Sequence, residues 1–114
     1  MEIKISNQEG HTIIELTDRL DSTTVSQAEE RIMPLVVAKA CLVMDLSKCN
    51  YISSAGLRLL LMLAKQLSAG GGWLTLSGLC AEVQDVMEMT GFSGFFKCYP
   101  SVPEALQALG EGEK

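Results

Sequence analysis

Asp45-Leu-Ser-Lys-Cys-Asn-Tyr-Ile-Ser-Ser-Ala-Gly-Leu57 sits between two segments of opposite periodicity. Behind it, Cys41-Leu-Val-Met-Asp-Leu46 is apolar without alternation until Asp45, which suits a strand buried on both faces. Ahead of it runs the strongest helical pattern in the chain, ending at Gly70-Gly71-Gly72, where glycine can take a left-handed cap. Within it, Ser47-Lys-Cys-Asn50 reads as a polar turn. Tyr51-Ile52 then leads to two hydroxyls, Ser53 and Ser54, followed by the small residues Ala55 and Gly56. The spacing thus predicts a buried strand feeding a helix.

Outward from this segment the same alternation of element types continues. Ile3 and Ile5, then Thr12, Ile14 and Leu16, alternate with polar neighbours, predicting two strands joined by a turn at Gln8-Glu9-Gly10. Arg19 to Thr24 reads as a polar connector, and Thr24 with Gln27 or Ser26 with Glu29 fits a capping box. Val25, Ala28, Ile32 and Val36 then recur at helical spacing, with Pro34 expected to end or kink the helix near Met33. On the other side, Trp73-Leu-Thr-Leu-Ser77 reads as a strand. Val83, Val86, Met87 and Thr90 mark a helix stopped by Gly91, and Phe95 to Tyr99 a short strand. Ser101-Val-Pro-Glu104 opens a last helix carrying Val102, Ala105, Leu106 and Leu109. The order β-β-α-β-α-β-α-β-α predicts one α/β domain over 1–110, a mixed, mostly parallel sheet of about five strands with about four helices. Residues 111–114 are expected to be a disordered tail.

The 114 residues, 47% hydrophobic and 20% charged, suffice for a single core. Nine basic against 14 acidic residues give a net charge of −5, which excludes the basic footprint of a nucleic-acid binder and a polybasic membrane patch. Charges interrupt the first ten residues, so no signal peptide is expected. Ala55 to Leu67 is broken by Arg58, Lys65 and Gln66 and is too short to span a bilayer. A cytoplasmic location is expected, without membrane insertion. Cysteines 41, 49, 80 and 98 lack metal or redox spacing and read as reduced structural residues. His11 is the only histidine and has no companion motif. The Gly70–Gly72 triplet follows a helix, where a phosphate loop would precede one. Asp18 and Asp21 have no metal-ligating neighbours in sequence. No catalytic residue, metal or cofactor is expected from these parts, and the chain does not read as an enzyme.

Ser53 and Ser54 can each cap the helix, but capping alone needs one of them and leaves the small residues beyond unexplained. On the helix, Leu57, Leu60, Leu61, Leu63, Ala64 and Leu67 are expected to face the sheet, with Arg58, Lys65 and Gln66 opposite. Leu59 and Met62 fall among the polar residues. They are either single exposed apolar residues or a docking patch beside the two cations.

Asp45-Leu-Ser47 with Tyr51-Ile-Ser-Ser-Ala-Gly-Leu57 resembles the signature of STAS domains, the fold of bacterial anti-sigma factor antagonists. Leu16 to Thr24 is similar to the family's Leu-x-Gly-Arg-Leu-Asp segment, Met89-Thr-Gly-Phe92 to its late Thr-Gly turn, and Ser101-Val-Pro-Glu-Ala105 to the start of its last helix. The resemblance implies a protein that binds an anti-sigma factor serine kinase and so releases a sigma factor. It also implies phosphorylation of a serine at the start of the second helix, reversed by a metal-dependent serine phosphatase. By position that serine is Ser54, with Ser53 the second candidate, and Asp21, Ser22, Ser53, Ser54, Arg58, Leu59 and Met62 would form the partner surface. Two positions depart from the family. Ser53 stands where Asp commonly precedes the phosphoserine, and Asp18 stands where Gly is usual. Some small STAS proteins resemble cytoplasmic subunits of transport machines, so docking onto a transporter ATPase without a phosphorylation switch is the alternative.

Overall fold

Glu9 and Gly10, with φ of 52° and 81°, turn the chain between β1 (Glu2–Gln8) and β2 (His11–Leu20). Positive φ at both central residues gives the tight turn whose twist matches that of the flanking strands. The computed structural model describes residues 1–110, so the tail expected at 111–114 lies outside the described residues. After β2 come α1 (Val25–Ile32), a 3-10 turn (Met33–Leu35), β3 (Cys41–Ile52), α2 (Ser54–Ala69) and β4 (Trp73–Ser77). α3 (Ala81–Met89), a second 3-10 turn (Phe92–Phe95), β5 (Lys97–Tyr99) and α4 (Val102–Gly110) complete it. The sheet order is β1-β2-β3-β4-β5, antiparallel at β1–β2 and parallel elsewhere.

Successive parallel strands advance in one direction, so their right-handed crossovers put α1, α2 and α3 on one face. There Ile14, Leu16, Leu42 and Met44 meet Ile32, Leu60, Leu63 and Val83 in the main core. α4 covers the other face, where Ala105, Leu106 and Leu109 pack on Ile13 and Val43. Adjacent strand residues such as Val43 and Met44 therefore serve opposite cores, which is why Cys41–Leu46 shows no alternation.

The expected turn at Ser47–Asn50 is not a turn: β3 runs through it, and β2 likewise runs through Arg19 to Leu20. The β2–β3 register shifts twice, between Glu15 and Thr17 and between Asp18 and Arg19. These irregularities let β3 bury Leu46, Cys49 and Ile52 at intervals of three while Ser47, Lys48 and Asn50 face solvent. The Thr24–Gln27 and Ser26–Glu29 capping boxes do not form. Thr24 holds the N-cap position of α1, but its hydroxyl donates to the Arg19 carbonyl (2.7 Å) instead. Pro34 ends α1 at Ile32 and leaves Val36 outside it, and β5 begins only at Lys97 because Phe92–Phe95 form a 3-10 turn. At the last helix, the Glu104 amide donates to Ser101 Oγ (3.3 Å) as expected.

Asp18 has φ of 81°, a left-handed conformation at the second irregularity. Aspartate tolerates that region better than most residues, yet still less well than glycine. Asp18→Gly is expected to raise stability by about 0.5–1 kcal/mol despite glycine's greater freedom when unfolded. A thermal melt reads this as an increase of about 2–6 °C. A lower melting temperature would mean that the carboxylate holds the bend.

Candidate functional site

The end of β2 and the start of α2 are tied together at Ser53. Its amide donates to the Leu20 carbonyl (2.9 Å), directly after the register pair Leu20–Ile52. Ser53 is the N-cap of α2, with extended backbone (φ −86°, ψ 176°), and its Oγ accepts from the Gly56 amide at 3.3 Å. Ser54, the first residue of the helix, is exposed. One hydroxyl holds the helix end and the other faces solvent.

The small residues that follow have a packing cause. A Cβ at Gly56 would lie 2.6 Å from the Leu20 carbonyl oxygen, 2.9 Å from Ile52 Cγ2 and 3.0 Å from Leu20 Cγ. The helix start therefore approaches β2 as closely as only glycine allows. Gly56→Ala gains helix propensity of about 1 kcal/mol but must push apart main chain that is itself hydrogen-bonded. We expect a net loss of about 1–3 kcal/mol in chemical denaturation. An unchanged midpoint would show that the two loops separate at no cost.

In the β2–α1 loop, Asp21 Oδ1 accepts from the Thr23 amide (2.9 Å) and hydroxyl (2.6 Å), and Oδ2 accepts from Arg19 Nε (3.2 Å). The Thr23 hydroxyl and amide, with a smaller contribution from Arg19, hold the Asp21 carboxyl below its ordinary range, so it is ionised at neutral pH. The Thr24 hydroxyl also accepts from the Asp21 amide (3.0 Å). The Arg19 guanidinium lies 4.6 Å from the centre of the Tyr51 ring, a cation–π contact across β2 and β3. Asp21 thus organises its own loop, while Ser22 is exposed beside it. The Arg19–Tyr51 pair escaped sequence reading because the two become register partners only after the strand irregularities.

Leu59 is a correction. It is 4% exposed and belongs to the main core, so no partner reaches it. Leu61, expected inside, is instead half-buried and lines a surface recess of about 450 Å³ with Arg58, Met62, Lys65 and Gln66. With about 100° per residue, the buried side chains Leu57, Leu59, Leu60, Leu63 and Leu67 centre roughly 45° from the sector expected, bringing Leu59 in and turning Leu61 out. Arg58 and Met62 remain at the surface, exposed and half-buried respectively.

His11 sits at the hairpin, 3.0 Å from the Glu9 carbonyl through Nδ1 and stacked obliquely near Trp73. No nucleophile is hydrogen-bonded to it among the described residues. No disulfide joins the four cysteines. Among the described residues no group of His, Cys, Asp and Glu is placed to hold a metal, and no helix is long and apolar enough to cross a membrane. A recess of about 540 Å³ beside α4 includes Lys4, Glu15 and Asp45, and Glu15 there pairs with Lys48 at 3.5 Å. What the arrangement offers is an exposed hydroxyl on a rigid helix end, flanked by an ordered loop and a cationic, partly apolar helix face.

A family model described as STAS domain matches residues 2–105. The Bordetella bronchiseptica protein named "Putative anti-sigma factor antagonist BtrV" is 35% identical over 97 residues, 84% of each chain. An anti-sigma factor antagonist (STAS) domain protein from Planctomyces limnophilus superposes with a TM-score of 0.88 at 20% identity, covering 95% of this chain and 97% of that one. The Bacillus cell fate determinant SpoIIAA in its phosphorylated form gives 0.72 at 18% identity, covering 95% and 99%. The two structures share the fold: a single α/β domain with a five-strand mixed sheet and four helices.

Proposed function

The chain belongs to the STAS domain family, and from that premise we propose that it is an anti-sigma factor antagonist switched by phosphorylation of Ser54. In its unmodified form it binds an anti-sigma factor that is itself a serine kinase, releasing a sigma factor. The kinase phosphorylates Ser54 and a serine phosphatase restores it. The protein is a ligand and a substrate in this cycle rather than a catalyst, and it works in the cytoplasm.

The division of labour between Ser53 and Ser54 carries the proposal. Because Ser53 provides the cap, the Ser54 hydroxyl is open to a kinase without loss of a structural bond. A phosphate there carries about −1.5 to −2 charges and sits at a helix N-terminus, where free amides and the macrodipole tolerate it. Asp21, Ser22, Ser53, Ser54, Arg58 and Met62 make up the proposed partner surface. Leu59 is left out because it is buried.

Affinity capture from the source organism's lysate with unmodified and phosphorylated protein as baits tests the reading. The expected result is a serine kinase held by the unmodified bait and lost from the phosphorylated one, with phosphopeptide mapping placing the phosphate on Ser54. Ser53→Ala should still be phosphorylated, though about 1 kcal/mol less stable through loss of its cap. If Ser53→Ala abolishes the modification and Ser54→Ala does not, the assignment is wrong by one residue. Recovery of a transporter ATPase on both baits would replace this function with the alternative one and leave no switch.

A further inference from the structure

We propose that the outer face of α2 beyond Arg58 is a groove that receives an acidic amphipathic helix of a protein partner. The proposal rests on the reading above only in taking α2 as a partner-facing helix. Leu61 lines two adjoining recesses. One, of about 450 Å³, includes Arg58, Met62 and Lys65; the other, of about 440 Å³, includes Lys65, Ser68 and Phe95. Leu61, Lys65 and Ser68 follow one another at helical spacing along a single stripe. Phe95, 65% exposed and contributed by the turn after α3, forms a wall beside the stripe. From Arg58 to Ser68 the groove runs about 15 Å, the length of roughly three helical turns.

Charge selects the occupant. The chain carries a net charge of −5, yet α2 has no Asp or Glu between Ser54 and Ala69. Among the described residues, Arg58 and Lys65 have no carboxylate within ion-pair distance. Two unpaired cations along an apolar groove match a helix with apolar anchors and flanking carboxylates. A second copy fits poorly. Its own acidic helices, α1 with Glu29 and Glu30 and α3 with Glu82, Asp85 and Glu88, turn Ala28, Ile32, Val83 and Met87 into the core and expose one large apolar side chain, Met89 at the end of α3, too few for an apolar stripe.

The Lys65 end of the groove is electrically remote from the switch, whereas its Arg58 end lies one helical turn from Ser54. Lys65 lies eleven positions beyond Ser54, about 16 Å along the helix, against a Debye length of about 8 Å at physiological ionic strength. The interface thus has a part next to Ser54 that phosphorylation disrupts and a distal part that it leaves intact.

Two synthetic helical peptides of about sixteen residues test this, with the same leucine stripe and either Glu or Lys on its flanks. Each is titrated into isotope-labelled protein and followed by amide chemical shifts. The acidic peptide is expected to shift Leu61, Lys65 and Phe95 and to bind at least about tenfold more tightly than the basic one. Lys65→Glu, at an exposed position, should remove that preference with an unchanged melting curve. Ser54→Asp should weaken the acidic peptide by less than about fivefold, through the Arg58 end alone, and leave the Lys65 and Phe95 shifts in place. Equal binding of both peptides, or shifts confined to other surfaces, would overturn the groove as an acidic-helix site. So would concentration-dependent dimerisation lost in Leu61→Asp, because the occupant would then be a second copy. Failure of the Ser54 switch with peptide binding intact would leave this inference standing, and the converse result would remove it alone.

Discussion

Phosphorylation of Ser54 is expected to lower affinity for the kinase partner by about three decades, and Ser54→Asp by about one to two, while neither moves the melting temperature by more than about 2 °C. The two effects separate because the same charge meets two environments. On the protein side, Ser54 is the first residue of a 16-residue helix, where the unpaired amides and the dipole favour a negative group by about 0.3–1 kcal/mol. On the partner side, a surface shaped around an uncharged hydroxyl must bury that charge without a matching cation. A penalty of about 4 kcal/mol gives the three decades. Aspartate carries less charge and fewer acceptor oxygens than phosphate, hence its smaller effect. Arg58, one helical turn away on the same proposed surface, offsets only part of that charge. Calorimetric titration of the partner with unmodified protein, Ser54→Ala and Ser54→Asp reads the result. Equal affinity for all three would take the switch away from this position.

The parallel sheet could be read from the chain because Leu42, Val43 and Met44 serve two cores at once and so form an unbroken apolar run. The same reading ended β3 too early. Leu46, Cys49 and Ile52 are buried at intervals of three, and a period of two cannot register them unless the strand irregularities at Asp18 are already known. Thr24 misled for a related reason: a hydroxyl one residue before a helix fits the capping pattern, but the Arg19 carbonyl competes for it across the loop. At the site, both serines were visible as hydroxyls at a helix start. Which of them caps was not, because that depends on Ser53 having extended backbone and an amide already held by Leu20. Gly56 was visible as a small residue whose reason appears only when Leu20 and Ile52 close over it. The groove wall at Phe95 was hidden because a run of aromatic residues reads as strand, whereas Phe92–Phe95 form a turn.

The rotation of α2 about its axis has the largest consequence for stability. Leu59→Ala is expected to destabilise the fold by about 2–4 kcal/mol, whereas Met62→Ala costs less than about 1 kcal/mol. Leu59 is 4% exposed and joins a core shared with Leu60 and Leu63, so truncation removes apolar contacts and leaves a cavity that neighbouring strands cannot collapse to fill. Met62 is half-buried, already meets water, and its loss can be made good by solvent. For a domain of this size the Leu59→Ala melting temperature should fall by more than about 8 °C and that of Met62→Ala by less than about 5 °C. Binding should rank the other way. At a temperature where both variants remain folded, Met62→Ala weakens the partner, while Leu59→Ala binds as the parent does, because its side chain never touches the interface. A Leu59→Ala variant that melts like the parent yet loses the partner would place Leu59 on the surface. It would turn α2 by about 45° from the arrangement described, and Leu61 would then return to the core.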